Sequence, residues 1–138
     1  MNKKRIRGID IVLFLLCLVF AVGMLTFLKT CGAKEDGSFM NCQWAWRAVT
    51  GISVLMAIQS LVMIVLRNNG IGEGISISLV LEAIFALVLP GCVIPLCMME
   101  TMRCHAIMKP GVMVFGIIIA VLSAINVVLL HKGAAKGE

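Results

Sequence analysis

The chain has no tyrosine, few aromatic residues (6%) and few charged ones (14%). So little charge excludes a soluble domain with a polar exterior, since such a surface needs more of it. No basic stripe is interleaved with aromatics, so the net charge of +5 does not read as a nucleic-acid surface. P-loop, Rossmann and serine-hydrolase signatures are missing, which argues against nucleotide-dependent and acyl-transfer enzymes. Six cysteines and two histidines are present, yet no Cys-x-x-Cys or His-x-x-x-His spacing occurs. The close dithiol that makes thiol exchange fast is therefore absent.

What the chain does have is apolar length: 61% of its residues are hydrophobic and the mean hydropathy is +1.07. Three stretches carry no charge at all: Ile11 to Leu28, Ala48 to Leu66, and Gly111 to Leu130. Each is long enough to cross a hydrocarbon layer as a helix. A fourth, from Ile75 to about Met99, is interrupted by a single acid, Glu82, and by Pro90-Gly91 and Pro95. The first run follows Lys3, Lys4, Arg5 and Arg7. It is longer than a signal-peptide core and three more runs follow it, so it reads as a retained helix. Cys17 lies within it, without the small residue before it that a lipoprotein signal would carry, and reads as a packing residue. Asp10 stands near the start of this run, with Arg7 as its expected partner.

These runs predict an all-α membrane protein: one integral domain over residues 1–138, an antiparallel bundle of four transmembrane helices spanning about 9–28, 47–66, 75–98 and 111–130. Basic residues place both termini inside, N-in/C-in. Lys3, Lys4, Arg5, Arg7, Arg67, Lys132 and Lys136 fall inside, against Lys29, Lys34, Arg47, Arg103 and Lys109 outside, with most of the bias at the N-terminus. Arg67 to Gly74, rich in Asn and Gly, reads as a short turn, and His131 to Glu138 as a disordered cytoplasmic tail. Proline removes a backbone donor, so the third helix is expected to kink at Pro90-Gly91. Trp44 and Trp46 precede the second run, where indoles anchor at a membrane interface. Small residues line the second helix at Gly51, Ser53, Ala57 and Ser60, and the fourth at Gly116, Ala120, Ser123 and Ala124; such faces let helices approach closely.

Two groups of residues carry possible chemistry. The first is intramembrane: Glu82 is a carboxyl at hydrocarbon depth, with Gln59 or Asn126 as expected hydrogen-bond partner, and is a proton-relay candidate by position. The second is external. Cys31 and Cys42 bracket the first loop, and Cys97 and Cys104 bracket the second. Oxidised outside a plasma membrane, these four read as structural disulfides or as a redox set, with three connectivities open. If Cys97 to Cys104 is helical, their Cα atoms stand about 10 Å apart, too far to join directly. Cys42, Met99, Met102, Cys104 and His105 also form a soft donor set for copper, zinc or haem.

Cys31-Gly32, Glu35-Asp36-Gly37-Ser38, Met40, Cys42 and Trp44, followed by Cys97-Met98-Met99 and Thr101-Met102-Arg103-Cys104-His105, resemble a family of short bacterial four-span proteins, domain of unknown function 4418. The resemblance covers nearly the whole chain. It implies a multi-pass protein of the bacterial cytoplasmic (inner) membrane with no assigned activity. Members often read Cys-His-Trp in the first loop, where this chain has Gln43 after Cys42; one imidazole of a first-loop metal site is thereby lost.

The resulting expectation is a small, non-enzymatic membrane component, an accessory or interaction partner beside a protein such as a transporter, embedded in lipid and without nucleic acid. The alternatives are a membrane thiol-disulfide oxidoreductase or soft-metal protein at the cysteine cluster, and a proton-coupled small transporter using Glu82.

Overall fold

The computed structural model describes residues 3–28, 37, 41–66, 68–95 and 104–136. Four long helices make up almost all of it: α1 (Lys3–Thr26), α2 (Asn41–Leu66), α3 (Asn69–Val88) and α4 (Lys109–Lys136). A kinked turn, Leu89–Val93, follows α3, and a π-helical turn, Cys104–Met108, leads into α4. All four helices are long and apolar enough to cross a membrane, over Arg7–Thr26, Asn41–Leu66, Gly70–Val93 and His105–Lys136. At 1.5 Å per residue, α2 with its 26 residues is about 39 Å long, which exceeds the hydrocarbon thickness and carries its ends into the interfacial zones.

Each helix is apolar all round, so amphipathicity does not choose the buried side. Packing does. The inward seam is Leu13, Cys17, Phe20 and Met24 on α1, with Ala21 also buried, and Cys42, Ala45, Val49, Ser53, Met56, Ser60 and Met63 on α2. α3 buries Gly72, Ser76, Leu79, Ala83 and Ala86; α4 buries Val112, Gly116, Ile119, Ser123, Asn126 and Leu130. These seam residues recur at steps of three and four along every helix, the seam of a bundle with nearly aligned axes. Many of the inward residues are small, which lets the backbones come close where apolar burial gives no drive. At Gly116 an added Cβ would stand 2.8 Å from Leu87 Cδ2, so α3 and α4 meet there backbone to side chain. Between α1 and α4, Phe20 and Phe115 stack with centroids 5.4 Å apart.

Several local expectations are revised. The Asn-Gly segment after Arg67 is not a turn as far as Gly74: α3 begins at Asn69. Asn68 caps it by accepting from the Gly70 N–H at 3.2 Å. Gly72 is a contact point within the helix, where a Cβ would meet Leu130 Cδ1 at 3.5 Å and Met63 Cγ at 3.8 Å. At the C-terminus α4 runs on through His131 to Lys136, with alanines at 134 and 135 favouring helix. His131 Nδ1 meets Glu73 Oε1 at 3.1 Å. Near Pro90 the regular helix ends at Val88, and Pro90 (φ −77°, ψ 107°) and Gly91 (φ 105°, ψ −26°) leave helical geometry. Gly91 takes a left-handed φ that other residues rarely adopt.

Trp46 does more than anchor. Its indole N–H donates to the Met24 carbonyl at 2.7 Å. That carbonyl lies in the last turn of α1, where the Phe27 and Leu28 N–H groups both turn to Gly23 O. The indole thus satisfies a helix-end acceptor that the backbone leaves open. Trp44 is exposed, with the Arg47 guanidinium 5.4 Å from its ring centroid.

Candidate functional site

The polar side chains inside the bundle gather in the half nearer the termini. Asn126, fully buried on α4, donates from Nδ2 to Asp10 Oδ1 at 2.9 Å and to Ser76 Oγ at 3.2 Å, with Met63 Sδ at 3.8 Å. Ser76 in turn donates to Gly72 O at 2.8 Å and lies 3.5 Å from Met63 Sδ. One carboxamide therefore joins all four helices: α1 through Asp10, α2 through Met63, α3 through Ser76, and α4 itself. Asp10 has turned to Asn126, and among the described residues no ion pair joins it to Arg7. A local partner three residues away loses to a long-range one, because the amide sits on the inward face and Arg7 is exposed.

Deeper in the bundle, Gln59 Nε2 on α2 donates to Glu82 Oε1 on α3 at 2.7 Å. Gln59 thus serves Glu82, while Asn126 serves Asp10, a pairing that the sequence left open. The two acid–amide pairs stand at different depths: Ser76 and Glu82 are six residues apart on α3, about 9 Å of helical rise. Hydroxyls occupy the levels between. Ser60 is next to Gln59 on α2 and lies beside the Cys17 thiol of α1; Ser123 is one turn from Asn126 on α4. Both serines are fully buried. Ser60 donates to Ala57 O at 2.9 Å.

Among the described residues, four buried side-chain atoms have no hydrogen-bond partner: Gln59 Oε1, Glu82 Oε2, Ser123 Oγ and Asn126 Oδ1. All four are oxygens. Three of them, on Gln59, Glu82 and Asn126, only accept while the carboxyl is ionised, and the fourth is a hydroxyl that can donate or accept; in a bilayer such groups are costly to leave unmatched. Asp10 and the two carboxamides, rather than Glu82 alone, make this an extended site; the signal for Asp10 in the sequence was only its place at the start of the first apolar run.

The external cysteine cluster is placed only in part. Cys31, Cys97, Met99 and Met102 lie outside the described residues. Cys42 is fully buried at the start of α2, and Cys104 and His105 open the turn before α4. Cys92 is exposed on the Leu89–Val93 turn and Cys17 is buried in the core; no two described cysteines come within disulfide distance. Among the described residues, no three of His, Cys, Asp and Glu converge as a metal site needs.

A family model described as a domain of unknown function (DUF4418) matches residues 13–129, which takes in all four helices. No curated protein and no solved structure matches the chain.

Proposed function

The chain belongs to the family described as domain of unknown function DUF4418, and we propose that it is a non-enzymatic multi-pass component that works beside another membrane protein, such as a transporter, in the bacterial cytoplasmic membrane. The observation that supports this reading concerns one glycine. Of the small residues along α2, Ser53 and Ser60 are fully buried and Ala57 is half-buried, all engaged in the chain's own packing. Gly51 alone faces outward, and a Cβ added there would meet nothing within 4 Å. It lies on the exposed stripe of Trp44, Arg47, Val54, Leu55 and Ile58, so it leaves a notch in a lipid-facing surface. Glycine in a helix costs about 1 kcal/mol relative to alanine, and nothing inside this chain requires it at this position. A small residue on an outer face is what close approach by another membrane helix needs.

The test is purification of the full chain in mild detergent after cross-linking in membranes. Co-recovery of a second membrane protein, lost in Gly51→Leu while the melting temperature holds, is the expected result. Recovery of a lone monomer with thiol-exchange activity, unaffected by Gly51→Leu, would overturn the reading.

The competing oxidoreductase and soft-metal readings draw on Cys31, Cys97, Met99 and Met102 together with Cys42, Cys104 and His105. They require Cys42 to be reachable, whereas its side chain is buried. Proton-coupled transport requires Glu82 to bind and release a proton.

A further inference from the structure

The four unmatched oxygens in the core belong to residues that share one half of the bundle. Two of them, Glu82 Oε2 and Gln59 Oε1, are the second oxygens of a pair already joined by an N–H···O bond of 2.7 Å. Both accept, and neither has a donor. A single proton on Glu82 Oε2 converts that carboxylate oxygen into an O–H donor for the unmatched Gln59 Oε1 of the same pair. The pair then closes as a carboxylic acid and a primary amide do, with two parallel hydrogen bonds. The neighbouring Ser60 hydroxyl is already given to Ala57 O, and Ser78, one turn before Glu82 on α3, places its hydroxyl beside the carboxyl rather than on Gln59.

The remaining unmatched atoms point to how such a proton would come and go. Ser123 Oγ and Asn126 Oδ1 are both on fully buried side chains, one turn apart on α4. They continue the polar file from Glu82 toward Asp10, which is only half-buried near the end of the bundle that holds both termini. The other ionisable groups that α1 turns to this interior are Cys17 and Asp10; α2 faces Glu82 with Gln59 and Ser60, α3 itself adds Ser78, and α4 contributes Ser123 and Asn126.

We propose that Glu82 binds a proton within the bilayer, shares it with Gln59, and exchanges it with water at the termini end of the bundle by way of Ser60, Ser123 and the Asn126–Asp10 pair. The step is balanced: an O–H bond forms at Glu82 Oε2, the carboxylate charge is neutralised, and the proton is drawn from water and returned to it. The inference is independent of the proposed assembly, because every residue in it belongs to this chain.

Infrared spectroscopy of the full chain in phospholipid bilayers tests it. The wild type is expected to show, at neutral pH, a protonated-carboxyl C=O band that disappears in Glu82→Gln and shifts on transfer to heavy water. In Asp10→Asn and Ser123→Ala the band should persist while its exchange shift becomes several-fold slower. A wild-type minus Glu82→Gln difference spectrum containing only carboxylate bands overturns the site, and unchanged exchange in both other variants overturns the route. Should Glu82→Gln fail to fold, dicyclohexylcarbodiimide, which attacks protonated carboxyls in apolar surroundings, gives an independent readout on the wild type. Adduct formation at Glu82 supports the site; no adduct from acid to alkaline pH overturns it.

Discussion

Asn126 and Asp10, 116 positions apart in the sequence, are joined at 2.9 Å between the last helix and the first. This bond closes the bundle at the end where the termini lie, and the same amide group reaches Ser76 of α3. Asn126→Leu removes the donor to both and leaves the Ser76 hydroxyl buried beside a methyl group. The expected loss is about 1–2 kcal/mol, below the upper range for a buried polar group because hydrogen bonds within membranes measure modestly. Reversible unfolding in mixed micelles with increasing dodecyl sulfate checks it. Stability equal to wild type would mean that the amide contributes nothing to bundle closure.

Trp46 supplies a second cross-link, at the opposite end. Trp46→Phe retains the ring but removes the N–H that satisfies Met24 O. A helix-end carbonyl is then left to find water or nothing, at a cost of about 1 kcal/mol. Trp44→Phe, on an exposed ring, should cost much less. The pair of melting temperatures in detergent separates a structural indole from an interfacial one; equal shifts would contradict the assignment.

The glycines divide by what surrounds them. In Gly116→Ala the new Cβ stands 2.8 and 2.9 Å from Leu87 Cδ2 and Cγ, and Cγ is not a free chain end, so Leu87 must change rotamer or α4 must shift. Such overpacking costs about 1–3 kcal/mol. Gly111→Ala meets only the tip of Leu28, at 2.6 Å from Cδ2, and should fall between. Gly51→Ala meets open space and should stabilise the monomer by up to about 1 kcal/mol through helix propensity. Ranking the three by unfolding midpoint tests the packing, and a Gly116→Ala as stable as Gly51→Ala would mean that α3 and α4 do not meet as closely as this geometry requires.

How much of this was legible beforehand follows from the physics of each feature. The four helices were, because a run of about 20 uncharged residues has few alternatives. The inward faces were not, since helices that are apolar all round give the same pattern on every side, and only small-residue placement hints at contact. That hint misled at Gly51, which shares its neighbourhood with Ser53 and Ala57 but faces outward. Glu82 stood out as the lone acid in an apolar run; its partner did not, because Gln59 and Asn126 offer the same amide group and only relative depth distinguishes them. The glycines at 70, 72 and 74 suggested a turn by propensity, yet Asn68 caps a helix there and Gly72 fits against Leu130 and Met63, so packing overrides propensity.

Thiol accessibility gives the last prediction and bears directly on the competing readings. Cys92 is exposed, whereas Cys17 and Cys42 have no exposed surface. In the folded protein in mild detergent, a maleimide should modify Cys92 rapidly and reach Cys17 and Cys42 only after denaturation in dodecyl sulfate, because thiols must meet the reagent to react. Cys17 serves as an internal control, since its seat against Ser60 in the middle of the core cannot open without loss of the bundle. Cys42 is the informative position. Protection of Cys42 in parallel with Cys17 makes it part of the packed end of α2 and weakens its use as a metal ligand or exchange thiol. Rapid modification of Cys42 while Cys17 stays protected would show that the start of α2 opens independently. That outcome would shift the function toward thiol or soft-metal chemistry with Cys104 and His105.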